Sequence, residues 1–339
     1  MKKSLVIILS SIAIITVVLI TLGVLFNKNE NEKQEGMTDV YSVSPTGEIA
    51  AVTYHKGQAT IHLNGQEMMI QLPVERAIAD MIFTEDGKKL AYVEQSKDLE
   101  DHNGSEIHLI DLDSLDAETI YTSADIITEI AFDPKNPDTL FYLQADDYTN
   151  YSPIASKHPH DFDVHSYDMK NKLHTKHTDF KKYSMGSLQV SAVKNSVYIQ
   201  TNDDAYDETE EISFTSNDRI FEIPLDTPNE TSVISSPVEA EDVYDFLLLP
   251  EKQTIIYQAV AGTGANGIFE YELFTFNWKT YKTEQLTALK ESASKPVLGP
   301  DDKIYFMVDH EFGARTPDYH LYRVNQDGSD VEEVLLEPN

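Results

Sequence analysis

The sequence predicts an all-β fold of repeated four-stranded antiparallel units, preceded by one apolar helix. Three observations predict it: a strand–turn–strand pattern that recurs along the chain, a second hairpin after each copy, and a charge-free run from Leu5 to Phe26.

The pattern is plainest in "MIFTEDGKKLAYVEQ", residues 81–95, where Asp86-Gly87 marks a tight turn between two apolar stretches. Aligned on the apolar start of its second strand, it recurs at Ile49, Leu90, Leu140, Val197, Ile255 and Ile304, with successive gaps of 41, 50, 57, 58 and 49 residues. A second hairpin follows in "EIHLIDLDSLDAETIYT" (106–122), "YELFTFNWKTYKTEQLT" (271–287) and "YHLYRVNQDGSDVEEVL" (319–335). Its shortest form is "ATIHLNGQEMMIQL" (59–72), turned at Asn64-Gly65, a pair suited to the positive φ of a two-residue hairpin. A period of about 40–50 residues made of short strands is the signature of propeller blades. One blade cannot bury its apolar faces alone, whereas blades packed radially can, leaving only short edges. The expected architecture is a six-bladed β-propeller over 39–339. The last unit supplies its own four strands, so no mixed closing blade is required.

The N-terminal run is 22 residues without a charge, about 33 Å as a helix and long enough for a hydrocarbon core of about 30 Å. Lys2 and Lys3 precede it and predict an inside N-terminus. The run is longer than a signal-peptide core, and Thr21-Leu22-Gly23 is a poor cleavage site. The expected organisation is a cytoplasmic tip at 1–4, a transmembrane signal-anchor at 5–26, a polar stalk at 27–38, and a propeller outside the cell membrane.

Acidic residues number 58 against 26 basic ones, a formal charge of −32, which repels nucleic-acid phosphates and attracts cations and basic partners. With 18 Tyr and 14 Phe the chain is too aromatic for a disordered acidic polymer. It has no cysteine, which removes disulfides, thiol nucleophiles and a lipid-bearing Cys.

The segments "SPTGEIAAV" (44–52) and "TEDGKKLAYV" (84–93), each followed by an "IHL" strand, resemble the S-P-D-G-x-x-[IL]-A-[FY] repeats of TolB-like, WD40-like propellers. The motif is degenerate in "FDPKNPDTLFY" and "SAVKNSVYI". The resemblance implies six blades and a binding or scaffolding role. The repeat residues are structural, so no catalytic residue carries over.

The long loops join the second and third strands of a unit, at 96–105, 146–160, 202–217, 261–268 and 309–318, and therefore gather on one face. Candidate binding residues there are Asp101, Tyr148, Tyr151, Asp203, Asp204, Asp207, Phe312 and Arg315. The run Asp203 to Glu211 is rich in hard oxygen ligands for Ca²⁺ but lacks the ordered spacing of a calcium loop. Five of the eleven histidines fall between His158 and His177, so His158, His160 and His165 are the candidate zinc ligands, against the plainer reading of strand and loop histidines. Gly262, Gly264 and Gly267 form a literal G-x-G-x-x-G, but a β-rich run follows where a dinucleotide site needs a helix. No G-x-S-x-G, H-E-x-x-H or Walker A motif is present, and no cofactor is called for beyond those Ca²⁺ and Zn²⁺ readings.

The expected function is a membrane-held scaffold or sensor that binds a protein or an envelope polymer through its loop face. The competing expectation is a ligand- or metal-binding hydrolase or lyase, with carboxylates and histidines converging at a central channel. A small-molecule or cation sensor is the third.

Overall fold

The computed structural model describes residues 12–21, 23, 30–64, 67–101, 104–150, 157–203, 217–235, 242–265 and 267–336. Among them, 24 strands pair antiparallel in consecutive groups of four. The first group is β1 (Gly36–Val43), β2 (Ile49–His55), β3 (Gln58–Leu63) and β4 (Glu67–Gln71). The second is β5 (Arg76–Phe83), β6 (Lys89–Ser96), β7 (Ser105–Asp111) and β8 (Ala117–Ser123). The third is β9 (Ile126–Asp133), β10 (Asn136–Asn150), β11 (Lys157–Asp168) and β12 (Leu173–Lys176). The fourth is β13 (Met185–Val190), β14 (Ser196–Asn202), β15 (Asp218–Pro224) and β16 (Ser232–Val233). The fifth is β17 (Phe246–Leu249), β18 (Thr254–Thr263), β19 (Phe269–Asn277) and β20 (Lys282–Gln285). The sixth is β21 (Ser292–Leu298), β22 (Lys303–Asp309), β23 (Tyr319–Asn325) and β24 (Glu332–Glu333). The last two groups merge into one eight-stranded sheet through a single parallel bridge, Tyr271 to Ser292.

The opening hairpins share a turn with a chemical cause. Ser44 accepts from Gly47 N–H and its hydroxyl accepts from Glu48 N–H, while Gly47 sits at φ 94°. Thr84 repeats the arrangement with Gly87 at φ 68°, and the Asp86 carboxylate accepts from the Thr84 hydroxyl and Lys88 N–H. Only residues that tolerate the left-handed region fit such turns without strain.

The apolar clusters lie between groups, not within them. Val52, Ile61 and Leu90 join the first and second groups and continue into Tyr305, Met307 and Leu321 of the sixth. Val93 and Ile107 meet Leu140 and Tyr142 between the second and third. Phe141 and Val164 meet Val197 and Ile199 between the third and fourth. Ile220 meets Phe246 and Phe276 between the fourth and fifth, and Ile256 and Leu273 meet Ile304 and Phe306 between the fifth and sixth. The first strands touch in the order β1, β5, β9, β13, β17, β21 and back to β1. Among the described residues the first and sixth groups meet by side-chain packing, with no strand exchanged between them.

Residues 30–35, expected within the stalk, dock on the turn between β2 and β3. Glu35 accepts from Lys56 N–H and pairs with His55, and Gly57 N–H donates to the Gln34 carbonyl. A Cβ on Gly57 would fall 2.1 Å from the Asn31 carbonyl oxygen. No helix among the described residues is long and apolar enough to cross a membrane. Residues 1–11, 22 and 24–29 of the N-terminal region lie outside them. The described stretch 12–21 is helical, with Thr16 and Thr21 hydroxyls donating to the carbonyls four residues back and with Ile14, Val17 and Leu19 exposed.

Leu90 is fully buried between two groups, whereas Leu173 on β12 is 60% exposed. Leu90→Ala is expected to lower unfolding free energy in urea by about 2–5 kcal/mol, and Leu173→Ala by less than about 0.5 kcal/mol.

Candidate functional site

Each first strand pairs along its length with one strand of its own group and, the single β19–β21 bridge apart, leaves backbone donors on its other edge. Side chains from the adjacent group meet them. The Phe83 N–H of β5 donates to Ser42 Oγ of β1, 3.3 Å. Ile130 N–H donates to Asp80 Oδ2, 2.9 Å. Ser187 and Leu188 N–H donate to the two oxygens of Glu129, at 2.9 and 2.7 Å. Phe246 N–H donates to Ser187 Oγ, 3.3 Å, and Ser187 Oγ–H in turn faces Asp245 at 3.2 Å. Lys295 N–H donates to the other oxygen of Asp245, 3.0 Å. Lys295 Nζ pairs with Asp39 at 2.8 Å and the Tyr41 hydroxyl donates to the Lys295 carbonyl at 2.6 Å, which closes the circuit.

This belt sets four carboxylates, Asp39, Asp80, Glu129 and Asp245, against one ammonium. Burial, then the charge of Glu129, pushes the Asp80 carboxyl up to about 7 despite the Ile130 N–H. Burial also raises Glu129, against its two backbone donors. Burial alone would lower Lys295, but Asp39 and Asp245 outweigh it and raise the ammonium. Ser187 and Lys295 take left-handed φ of 55° and 51° at β-bulges, which aims non-glycine side chains inward at a local cost. Perturbed carboxylates at a shared axis are the expected signature of a site, yet both oxygens of Glu129 and one each of Asp80 and Asp245 accept from backbone N–H groups that need them.

The sequence reading missed the belt. A signal was available: Asp39, Asp80, Ser187 and Asp245 each fall ten residues before the register marks Ile49, Leu90, Val197 and Ile255. Glu129 falls eleven before Leu140, and Lys295 nine before Ile304.

The three candidate zinc ligands share β11 but do not converge. His160, 6% exposed, spends both ring nitrogens, on Asp161 at 2.9 Å and Thr149 Oγ1 at 3.0 Å. His158 packs on Tyr183, with ring centroids 4.4 Å apart. His165, 2% exposed, bonds His174 at 2.8 Å through Nδ1 and stacks on Tyr142. Among the described residues no three His, Asp or Glu side chains are placed to hold a metal. Burial, then His174, drives His165 down to about 4. Beside it, buried Asp163 accepts from Thr178 Oγ1 and Phe180 N–H and pairs with Lys176. Glu272 repeats this in the fifth group, accepting from Thr287 Oγ1 and Lys290 N–H.

The loop face carries two features. The first is a shallow cleft between the second and third groups, lined by Asp98, Leu99, Asp125, Asp146, Asp147 and Tyr148. Gln144 holds Asp125 and Asp146 at 3.0 Å each, and Lys176 pairs with Asp146. The second is an aromatic cluster where the fifth and sixth groups meet. Tyr271 meets Phe312, Phe269 and Tyr244 edge to face, with centroids 5.3, 6.5 and 5.6 Å apart. Phe269 is 54% exposed and Phe312 40%.

Of the candidate binding residues, Tyr148 lines the cleft and Phe312 sits in the aromatic cluster. Arg315 is exposed in the same loop as Phe312. Asp203, half-buried, follows β14 and donates its N–H to the Asn217 carbonyl. Asp101 ends a short 3-10 turn, Leu99–Asp101. Tyr151, Asp204 and Asp207 lie outside the described residues, as does most of the acidic run read for Ca²⁺. The loop expected at 146–160 narrows, because β10 and β11 stay paired out to Asn150 and Lys157. Gly264 and Gly267 close a tight turn that leads into β19, with no helix after it.

The folded protein holds the Asp80 proton more tightly than the unfolded chain does, so this group lowers stability as pH rises from about 4 to about 7. Asp80→Asn, which keeps an acceptor for Ile130, is expected to raise the urea midpoint at about pH 8 and to give a smaller gain at about pH 5. His165 acts oppositely: its folded value lies below the unfolded 6.5, so stability is lost as pH falls from about 6.5 to about 4. His165→Phe is expected to flatten that acid limb in the same urea series.

Neither a protein-family model nor a curated protein sequence matches the chain. Among solved structures it is similar to TolB from Acinetobacter baumannii, with TM-score 0.53 and 13% identity over 91% of this chain and 65% of that one. Oligogalacturonate lyase in complex with manganese gives 0.56 and 11% over 88% and 77%. An acylaminoacyl peptidase in complex with a chloromethyl ketone gives 0.54 and 10% over 90% and 53%. The chain thus spans less than two thirds of the TolB and peptidase chains. At such identities the likeness shows the fold alone, and that fold is a TolB-like, propeller-type arrangement of four-stranded antiparallel sheets.

Proposed function

We propose that this chain is a membrane-anchored, extracytoplasmic six-bladed propeller that binds a protein or an envelope polymer through its loop face, as a scaffold or sensor. The observation that carries the reading is the aromatic cluster around Tyr271, whose exposed members are Phe269 at the start of β19 and Phe312 in a loop longer than a hairpin needs. The cyclic contact of β1, β5, β9, β13, β17 and β21 supports six blades. The charge-free run from Leu5 to Phe26 after Lys2 and Lys3 supports the anchor and its orientation.

A second reading, an enzyme with its site on the axis, draws on Asp80, whose carboxyl titrates near 7 as a general acid or base would. Against it, Asp80 and Glu129 already serve backbone donors. The names of the lyase and the peptidase among the neighbours do not carry their chemistry to this chain.

A photo-crosslinker at position 312, in intact membranes of the source cell, is expected to capture one reproducible partner from the outer side. Shortening the loop at 310–318 is expected to abolish the capture. No partner, together with a metabolite or polymer turned over by the parent and not by Asp80→Asn, would overturn the scaffold reading in favour of the axial enzyme.

A further inference from the structure

The aromatic cluster has a mainly acidic rim. Glu270, between Phe269 and Tyr271 in β19, alternates to the opposite face of that sheet, beside Gly262, and is not part of the rim. The Glu291 carbonyl accepts from Tyr271 N–H, and its carboxylate faces His310. Tyr244 reaches Asp242 at 3.5 Å, and Asp242 in turn accepts from Asp218 N–H. Burial, then Asp242, pushes Asp218 up to about 6. Glu311 precedes Phe312 in an exposed loop. Two groups on this rim can carry positive charge: His310, which faces Glu291 at 3.7 Å, and Arg315. The two loops are seated on each other, since a Cβ on Gly313 would come within 2.9 Å of Ile268 Cδ1.

Charge and ring geometry together select an occupant. A second copy of a chain with charge −32 meets its own repulsion here, as does an anionic polymer. A neutral polysaccharide stacks on a flat ring face, but these rings cross at 76°, 80° and 73° and present a broken surface of edges and faces. Such a surface accepts separate side chains. Ring faces attract cations, and neighbouring carboxylates add to that attraction. We infer that the cluster formed by Tyr244, Phe269, Tyr271 and Phe312 docks a basic protein segment in which Arg or Lys alternates with apolar side chains. The inference rests on the partner-binding reading above and names the chemistry of that partner.

The probes are an alternating Arg-Leu octapeptide, its Glu-Leu counterpart and a neutral chitin hexasaccharide, titrated calorimetrically into the full chain in detergent micelles. Only the Arg-Leu peptide is expected to bind, with affinity that falls as salt rises. The double variant Phe269→Ala, Phe312→Ala is expected to weaken it about tenfold. Both rings are exposed, so the melting temperature serves as the folding control. Glu291→Gln with Glu311→Gln is expected to flatten the salt dependence. Three results would overturn the inference: unchanged affinity in the aromatic variant, binding of the hexasaccharide in preference to the peptide, or equal binding of the Glu-Leu peptide. Failure here stays distinct from failure of the broader reading, because crosslinking at position 312 reports a partner of any chemistry. A captured partner with an acidic or neutral contact segment would leave the broader reading standing and remove this one.

Discussion

The free edge of the innermost strand is the constraint that organises this protein. A strand with one sheet neighbour leaves donors and acceptors that attract other chains unless they are met. Here side chains of the adjacent sheet meet them, through Ser42, Asp80, Glu129, Ser187, Asp245 and the Lys295–Asp39 pair in turn. Apolar packing between sheets has no direction of its own. The belt supplies direction, because a carboxylate oxygen about 3 Å from a backbone N–H fixes how far one sheet can slide over the next. Carboxylates suit this use because they accept without competing as donors, and Glu129 serves two adjacent N–H groups at once.

That arrangement also explains why acidity and stability coexist at the axis. Four carboxylates near one another repel, and the protein answers with Lys295, with backbone donors and with an Asp80 carboxyl that holds its proton up to about 7. The histidine interface between the second and third sheets uses another answer. His165 and His174 share a hydrogen bond, and burial disfavours a charge on the His165 ring, packed against Tyr142 with Tyr121 near His174. Polar groups thus sit at sheet junctions in two chemistries, one anionic and one neutral, with opposite responses to acid.

Much of the architecture was legible in the sequence. Every register mark from Ile49 to Ile304 lies in the second strand of its group, because turn residues such as Gly47 and Gly87 act locally. Loop lengths were legible only where turn chemistry ends the strands. At 146–160 polar residues continue the β10–β11 ladder, since exposed strands need no alternation. The belt was hidden because its meaning is relational: Asp80 in an apolar strand looks like a solvent-facing residue until Ile130, fifty positions on, is placed beside it. Likewise Tyr271 carries no sign of Phe312 forty-one positions away, so the aromatic cluster had one member visible from the loop and three that were not.

The N-terminal segment enters the fold through β1, which is an innermost strand, and not through a strand at the outer rim. Tension applied at residue 36 therefore travels straight to the junction where Lys295 grips Asp39 and Tyr41. Among the described residues that junction holds by side-chain contacts and packing, without a strand exchanged across it. Pulled from its leading end, the wheel would part first at the seam between its last and first sectors, with the other sectors still clasped to one another.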